Sequence, residues 1–203
     1  SAKVILVTTR EADLTALKDV NLEISDGNVV ANEKMQSSLK NVYVPGDVND
    51  KNLLAHAAFK MGDIAASEIV EGKSDKYNNN IIPRAIYTYP EIGSVGLTEE
   101  EAKKSYDVKV GKFNYGANGR ALAHGDSSGM VKIISDARYG EILGAHIVGP
   151  RASELINEVS ILMQSEVIVE EAIKMVFGHP TFSEAIYEAI ADVEGVSVHL
   201  PKK

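Results

Sequence analysis

His179 and Glu184, in the run Gly178-His179-Pro180-Thr181-Phe182-Ser183-Glu184, are the residues of this sequence best equipped to move a proton. An imidazole held by a carboxylate has its tautomer fixed and its charged form stabilised, the usual make-up of a general acid/base. The same spacing also has a purely structural reading. Thr181 with Glu184 three residues on is a capping box, in which Glu184 serves only a backbone N–H at a helix start. A cap would still place both groups on one rigid terminus, so the two readings are compatible.

A second grouping is Pro45-Gly46-Asp47 at the end of an apolar run, followed by Leu54-Ala55-His56 at a helix start. A strand end facing a helix N-terminus offers N–H groups and partial positive charge to an electron-rich ligand. An Asp beside a glycine can accept hydrogen bonds from a sugar or polyol hydroxyl, because the glycine permits close approach. The alternative is a plain turn, with His56 on a helix surface. A third stretch, Tyr89 to Gly96, contains glycines but reads as a tight β-turn between strands. Neither G-x-G-x-x-G nor the Walker A pattern occurs anywhere. His124, His146 and His199 have no metal-ligand spacing, so no metal site is expected. Ser183 has no nucleophile-elbow context and reads as a first-turn helix residue.

These residues need elements to hold them. Residues 3–8 form a β-branched run expected to be a buried strand, and 41–44 another. Ser25-Asp26-Gly27-Asn28 is a turn before a short strand at 29–31. Leu54, Ala57, Ala58, Met61, Ile64 and Ala65 repeat at helical spacing, with a stop at Glu71-Gly72. Lys73 to Asn80 holds one apolar residue in eight and reads as a surface connector. Beyond it, strands are expected at 84–88, 93–97, 107–115, 129–135 and 141–148, the last two joined through Tyr139-Gly140. Thr98 and Glu101 form a capping box for a short helix between them. Three helical patterns follow, on Ala152 to Leu162, on about 167–176, and on Phe182 to Val193. Strands first and helices afterwards indicate an α+β layer, an antiparallel sheet with the C-terminal helices on one side.

Composition removes several classes of function. With 203 residues and 44% hydrophobic content, the chain can bury a real core. A net charge of −8 without a basic stripe argues against nucleic acid. No apolar run approaches the roughly 20 residues of a membrane span. The abrupt start at Ser1-Ala2-Lys3 is unlike a signal peptide, so a cytoplasmic setting is expected. The absence of cysteine excludes a disulfide scaffold, a thiolate nucleophile and a self-contained redox dithiol.

Taken in order, the segments resemble the C-terminal part of the flavin-dependent pyridine-nucleotide–disulfide oxidoreductases, in particular the lipoamide-type (dihydrolipoyl dehydrogenase) branch. The motifs are Val42 to Asp47 with its terminal Gly-Asp, Leu54-Ala55-His56, and Tyr87 to Glu91 with Val95 to Thr98. Gly119-Arg120-Ala121, Gly144 to Pro150 and His179 to Glu184 complete the series. The resemblance implies three parts: the tail of an NAD domain at 1–10, a central, FAD-proximal remnant at 11–80, and an interface domain at 81–203. It implies that Gly46 and Asp47 hold the ribityl chain of FAD, and that Leu54, Ala55 and His56 present backbone N–H groups to the flavin. It implies that His179, oriented by Glu184, is the acid/base for a dithiol and works in the partner subunit of a homodimer. His179-Pro180 is then a candidate cis peptide.

The implied reaction oxidises dihydrolipoamide, carried by a 2-oxoacid dehydrogenase complex, through a disulfide and FAD to NAD⁺. The family's FAD fingerprint, its cysteine pair and the body of its NAD domain have no counterpart here. Thr9 stands where the family has the glycine of Thr-Gly-Arg. The expectation is therefore a portion of such an enzyme that is inactive alone and binds neither cofactor. The alternatives are a non-catalytic assembly module and a small-ligand binder at Gly46-Asp47.

Overall fold

The computed structural model describes residues 3–7 and 10–201. The chain forms two compact units that divide between Asn79 and Asn80. In the first, β1 (Ile24–Ser25) and β2 (Asn28–Val29) make a small antiparallel hairpin. Asp26 and Gly27 both have positive φ, 49° and 81°, the mirror-image turn that matches strand twist. The α1 helix (Ala55–Glu71) buries Ala57, Met61, Ile64 and Ala65 along one stripe. Gly72 ends it at φ 65°, where its N–H bonds to the Glu68 carbonyl.

Two expected strands of this unit do not form. Residues 41–44 contribute only an isolated bridge, Gln36 to Tyr43. Met35 and Asn41 both have φ 64°, and these left-handed residues turn the chain too soon for a longer ladder. Residues 3–7 pair with no described segment, and Val4, Ile5, Leu6 and Val7 are each at least 85% exposed. Their β-branched composition meets no neighbouring ladder that could take up their N–H and C=O groups. Thr8 and Thr9 lie outside the described residues.

The second unit is built on five antiparallel strands: β3 (Arg84–Ile86), β4 (Ile92–Gly96), β5 (Val108–Asn114), β6 (Met130–Asp136) and β7 (Ile142–Val148). Their order is β3-β4-β7-β6-β5. The helices are α2 (Glu99–Ala102), α3 (Gly119–His124), α4 (Ala152–Gln164), α5 (Val169–Ala172) and α6 (Glu184–Val193). The expected β6–β7 hairpin is present. Its turn is fixed by the buried Asp136 carboxylate, which accepts the N–H groups of Arg138 and Tyr139. The capping box of Thr98 and Glu101 is complete at α2.

Alternation along β6 sorts the core. Val131 and Ile133 join Phe113, Ala145 and Ile147 against α4 and α6, while Ile134 and Leu143 turn to the other face and meet Ala102 of α2. Both sheet faces are therefore covered in the middle, which explains the nearly continuous apolar runs of β6 and β7. The helix expected over 167–176 shrinks to Val169–Ala172. Ile168 pairs with Glu141, and the Val169 N–H bonds to the Gly140 carbonyl, which holds the chain extended up to that point.

Residues 197–199 are held by one buried carboxylate. Glu188, on α6, is 3% exposed. Its Oε2 accepts the Ser197 hydroxyl and the N–H groups of Val198 and His199, and its Oε1 lies 2.7 Å from His199 Nδ1. Burial by itself would raise its pKa, but the hydrogen bonds from Ser197 and His199 outweigh it and hold the group below the ordinary carboxylate range. A depressed carboxylate contributes stability that is present above its unfolded pKa and lost as pH falls through the folded one. Replacing Glu188 by alanine should lower the local opening free energy of 197–199 by roughly 1–3 kcal/mol, because several donors lose their acceptor. Hydrogen exchange at the Val198 and His199 amides reads this directly. In the unaltered chain, the same amides should lose protection on acidification.

Candidate acid/base site at the start of the last helix

Glu184 is the first residue of α6, where a negative charge is favoured by the helix dipole. Ser183, the residue before it, makes no side-chain cap. The Glu184 carboxylate reaches back instead. Its Oε2 accepts the Thr181 N–H at 2.7 Å, and its Oε1 lies 2.8 Å from Nδ1 of His179. Half of the expected capping box is thus formed. The other half is not formed, and the Thr181 hydroxyl is turned to the Gly178 carbonyl, to which it donates at 2.7 Å. The two readings of this spacing, a cap and a held imidazole, are compatible in the sequence, and one carboxylate makes both contacts with its two oxygens.

The His179 side chain is 75% exposed and that of Glu184 only 22%. A carboxylate accepts but does not donate, so the neutral ring carries its proton on Nδ1 and leaves a lone pair on Nε2. The His179–Pro180 peptide is cis, as expected, and so is Tyr89–Pro90, which was not anticipated. Below the pair, Phe182 is buried, with Tyr115 and His124 edge-on at 6.1 and 5.7 Å and the Arg151 guanidinium 6.0 Å away. Ser183 donates to Glu158 of α4 at 2.7 Å. Asn118 Nδ2 donates to the Thr181 carbonyl at 3.0 Å. Sequence reasoning missed Asn118, Glu158 and Tyr115. Asn118 alone left a signal, as a helix N-cap residue beside Gly119-Arg120-Ala121.

In the first unit, Gly46 is buried at φ 85°, and a short 3₁₀ turn opens at Asp47. Asp47 Oδ2 lies 2.6 Å from Arg10, whose guanidinium also donates to the Leu53 carbonyl. Sequence reasoning gave Asp47 no partner, because nothing local announces a pairing 37 residues away. The pair lines a polar cavity of about 640 Å³ with Asp26, Asn28, Asp50 and Leu53. The cavity and its carboxylate are compatible with a polyol chain. Leu54 precedes α1 without a side-chain cap, and Ala55 and His56 are exposed. The cavity lining reaches Leu53, next to these three, but does not include them. Among the described residues, no three His, Asp or Glu side chains gather to hold a metal ion.

Residues 82–190, which contain the His179–Glu184 pair, match the pyridine nucleotide-disulphide oxidoreductase dimerisation domain. The chain belongs to that family. Among its relatives is a dihydrolipoyl dehydrogenase of Bacillus subtilis, 39% identical over 184 residues, covering 90% of this chain and 40% of the relative. The dihydrolipoyl dehydrogenase of Halobacterium salinarum is 38% identical over 201 residues, covering 97% and 42%. The chain spans about two fifths of the length of these relatives. In fold it is similar to LpdA from Mycobacterium tuberculosis, with a TM-score of 0.82 at 24% identity over 87% of this chain and 39% of that one. It is equally similar to the HOCl-induced flavoprotein disulfide reductase RclA of Escherichia coli in its Cu(II) complex, at 0.83 and 23% over 92% and 44%. The ordered motifs thus identified the family, and the antiparallel sheet with its C-terminal helices is the fold of its dimerisation domain. Among the described residues, no helix is long and apolar enough to cross a membrane.

Proposed function

We propose that this chain is the C-terminal portion of an FAD-dependent dihydrolipoyl dehydrogenase of the cytoplasm. Residues 81–203 are its interface domain, 11–80 the central portion beside the flavin, and 1–10 the tail of the NAD domain. The observation that carries the reading is an exposed imidazole, locked by a half-buried carboxylate, inside the matched dimerisation domain. A ring displayed outward on an interface domain is suited to serve a partner subunit.

His179 Nε2 takes the proton of a dihydrolipoamide thiol, which produces the thiolate that attacks a disulfide. The ring becomes an imidazolium, held by Glu184, and its charge stabilises the cysteine thiolate released by that attack. This chain has no cysteine, so that disulfide lies in the remainder of the enzyme and the isolated chain turns over no dihydrolipoamide. Asp47 and its cavity would hold the ribityl chain of FAD, with Gly46 allowing close approach. When bound there, FAD would supply the two-electron relay between the disulfide chemistry and NAD⁺. The carrier domain of a 2-oxoacid dehydrogenase complex delivers the substrate. Sedimentation equilibrium of this chain at micromolar concentration should give twice its 21.9 kDa mass. A stable monomer would overturn the assignment of 81–203 as a self-sufficient interface.

A further inference from the structure

We infer that Asn118 is a positioning residue for the His179–Glu184 pair, a role that rests on the acid/base reading above. Asn118 lies 63 residues from the carbonyl it binds, in the segment between β5 and α3, and is 3% exposed. Its amide has two directed tasks. Oδ1 accepts the Ala121 N–H at 2.9 Å and so caps α3, and Nδ2 donates to the Thr181 carbonyl at 3.0 Å. The O and N ends of the amide are therefore assigned by their partners, since an N–H needs the oxygen and a carbonyl needs the NH₂.

Thr181 is then held on both sides. Its N–H is bound by Glu184 and its carbonyl by Asn118. The turn that sets the distance from His179 to Glu184 is pinned between α6 and a capped α3. Phe182 packs against His124 at the other end of α3, which repeats the connection by a second contact. A directed amide–carbonyl bond from a buried side chain fixes the turn at Thr181 and so limits where the imidazole can sit.

The test is Asn118→Asp in the 203-residue chain. The carboxylate keeps an oxygen for the Ala121 N–H, so the cap survives. It sets a second oxygen against the Thr181 carbonyl, where two acceptors repel. Nitrogen-15 shifts of the His179 ring report its tautomer when the ring is neutral. The unaltered chain should hold the Nδ1 proton, and the variant should shift toward the Nε2-protonated form with the sheet amide spectrum unchanged. An unchanged tautomer in a folded variant overturns the inference. Should the carboxylate prevent folding, Asn118→Ser retains a capping oxygen but cannot reach Thr181, and the same shift is expected. In the complete enzyme the variant should lose kcat roughly 10- to 100-fold with an unchanged KM for NAD⁺. A parallel His179→Gln enzyme separates the two readings. Normal turnover there removes the base, while a tautomer shift on altering Asn118 still supports its positioning role.

Discussion

In the complete enzyme, replacing His179 by glutamine should cut dihydrolipoamide oxidation by roughly 10²–10⁴-fold, the usual loss when a general base is removed. Glutamine can keep a hydrogen bond to Glu184 and nearly fill the space of the ring, so the loop has no reason to rearrange. What it cannot do is take a proton at the position of Nε2. The loss should therefore appear in kcat and in kcat/KM for the dithiol. Steady-state rates at varied dithiol concentration check both. Near-normal rates would remove His179 from the mechanism. Glu184→Gln should cost less, since the imidazole remains and only its orientation and the stability of its charged form suffer.

The second large effect is expected at a residue with no chemistry at all. Gly111, on β5, sits directly beneath α6. A Cβ built there would stand 2.0 Å from the Ala189 carbonyl oxygen, 2.6 Å from the Val193 nitrogen and 2.8 Å from a Val193 methyl. Backbone cannot swing aside like the end of a side chain, so the helix itself must lift. Ala189, Ile190 and Val193, all buried, would then lose their fit against the sheet. Gly111→Ala should destabilise the second unit by about 3 kcal/mol or more, lowering its melting temperature by on the order of 10 °C. Gly116 is the control. A Cβ there meets nothing within 4 Å, so Gly116→Ala should stay within about 0.5 kcal/mol. Calorimetry of the two variants side by side makes the comparison. Equal melting temperatures would mean that α6 does not rest on β5 as closely as described. Because α6 begins with Glu184, Gly111→Ala should also disturb the His179 pair, linking core packing to the site.

What the residues of the sequence determined by themselves is local. The stripe of α1 and its stop at Gly72, the capping box at Thr98 and Glu101, and the β6–β7 hairpin all rest on periodicity or on partners within a few residues. The ordered motifs likewise led to the family and to His179 and Glu184, five positions apart. Tertiary structure decided the rest. The β-branched run at 3–7 had the right composition for a strand, but a strand is made by its neighbour and none of the described segments supplies one. Whether Glu184 capped a helix or held an imidazole could not be settled from spacing, because both tasks use the same carboxylate and only its two oxygen directions show that it performs both. Asn118 reaches Thr181, Arg10 reaches Asp47, and Gly111 admits α6 through contacts formed only once distant segments pack. Such contacts impose no period and no spacing on the chain, so the amino-acid order alone gives no sign of them.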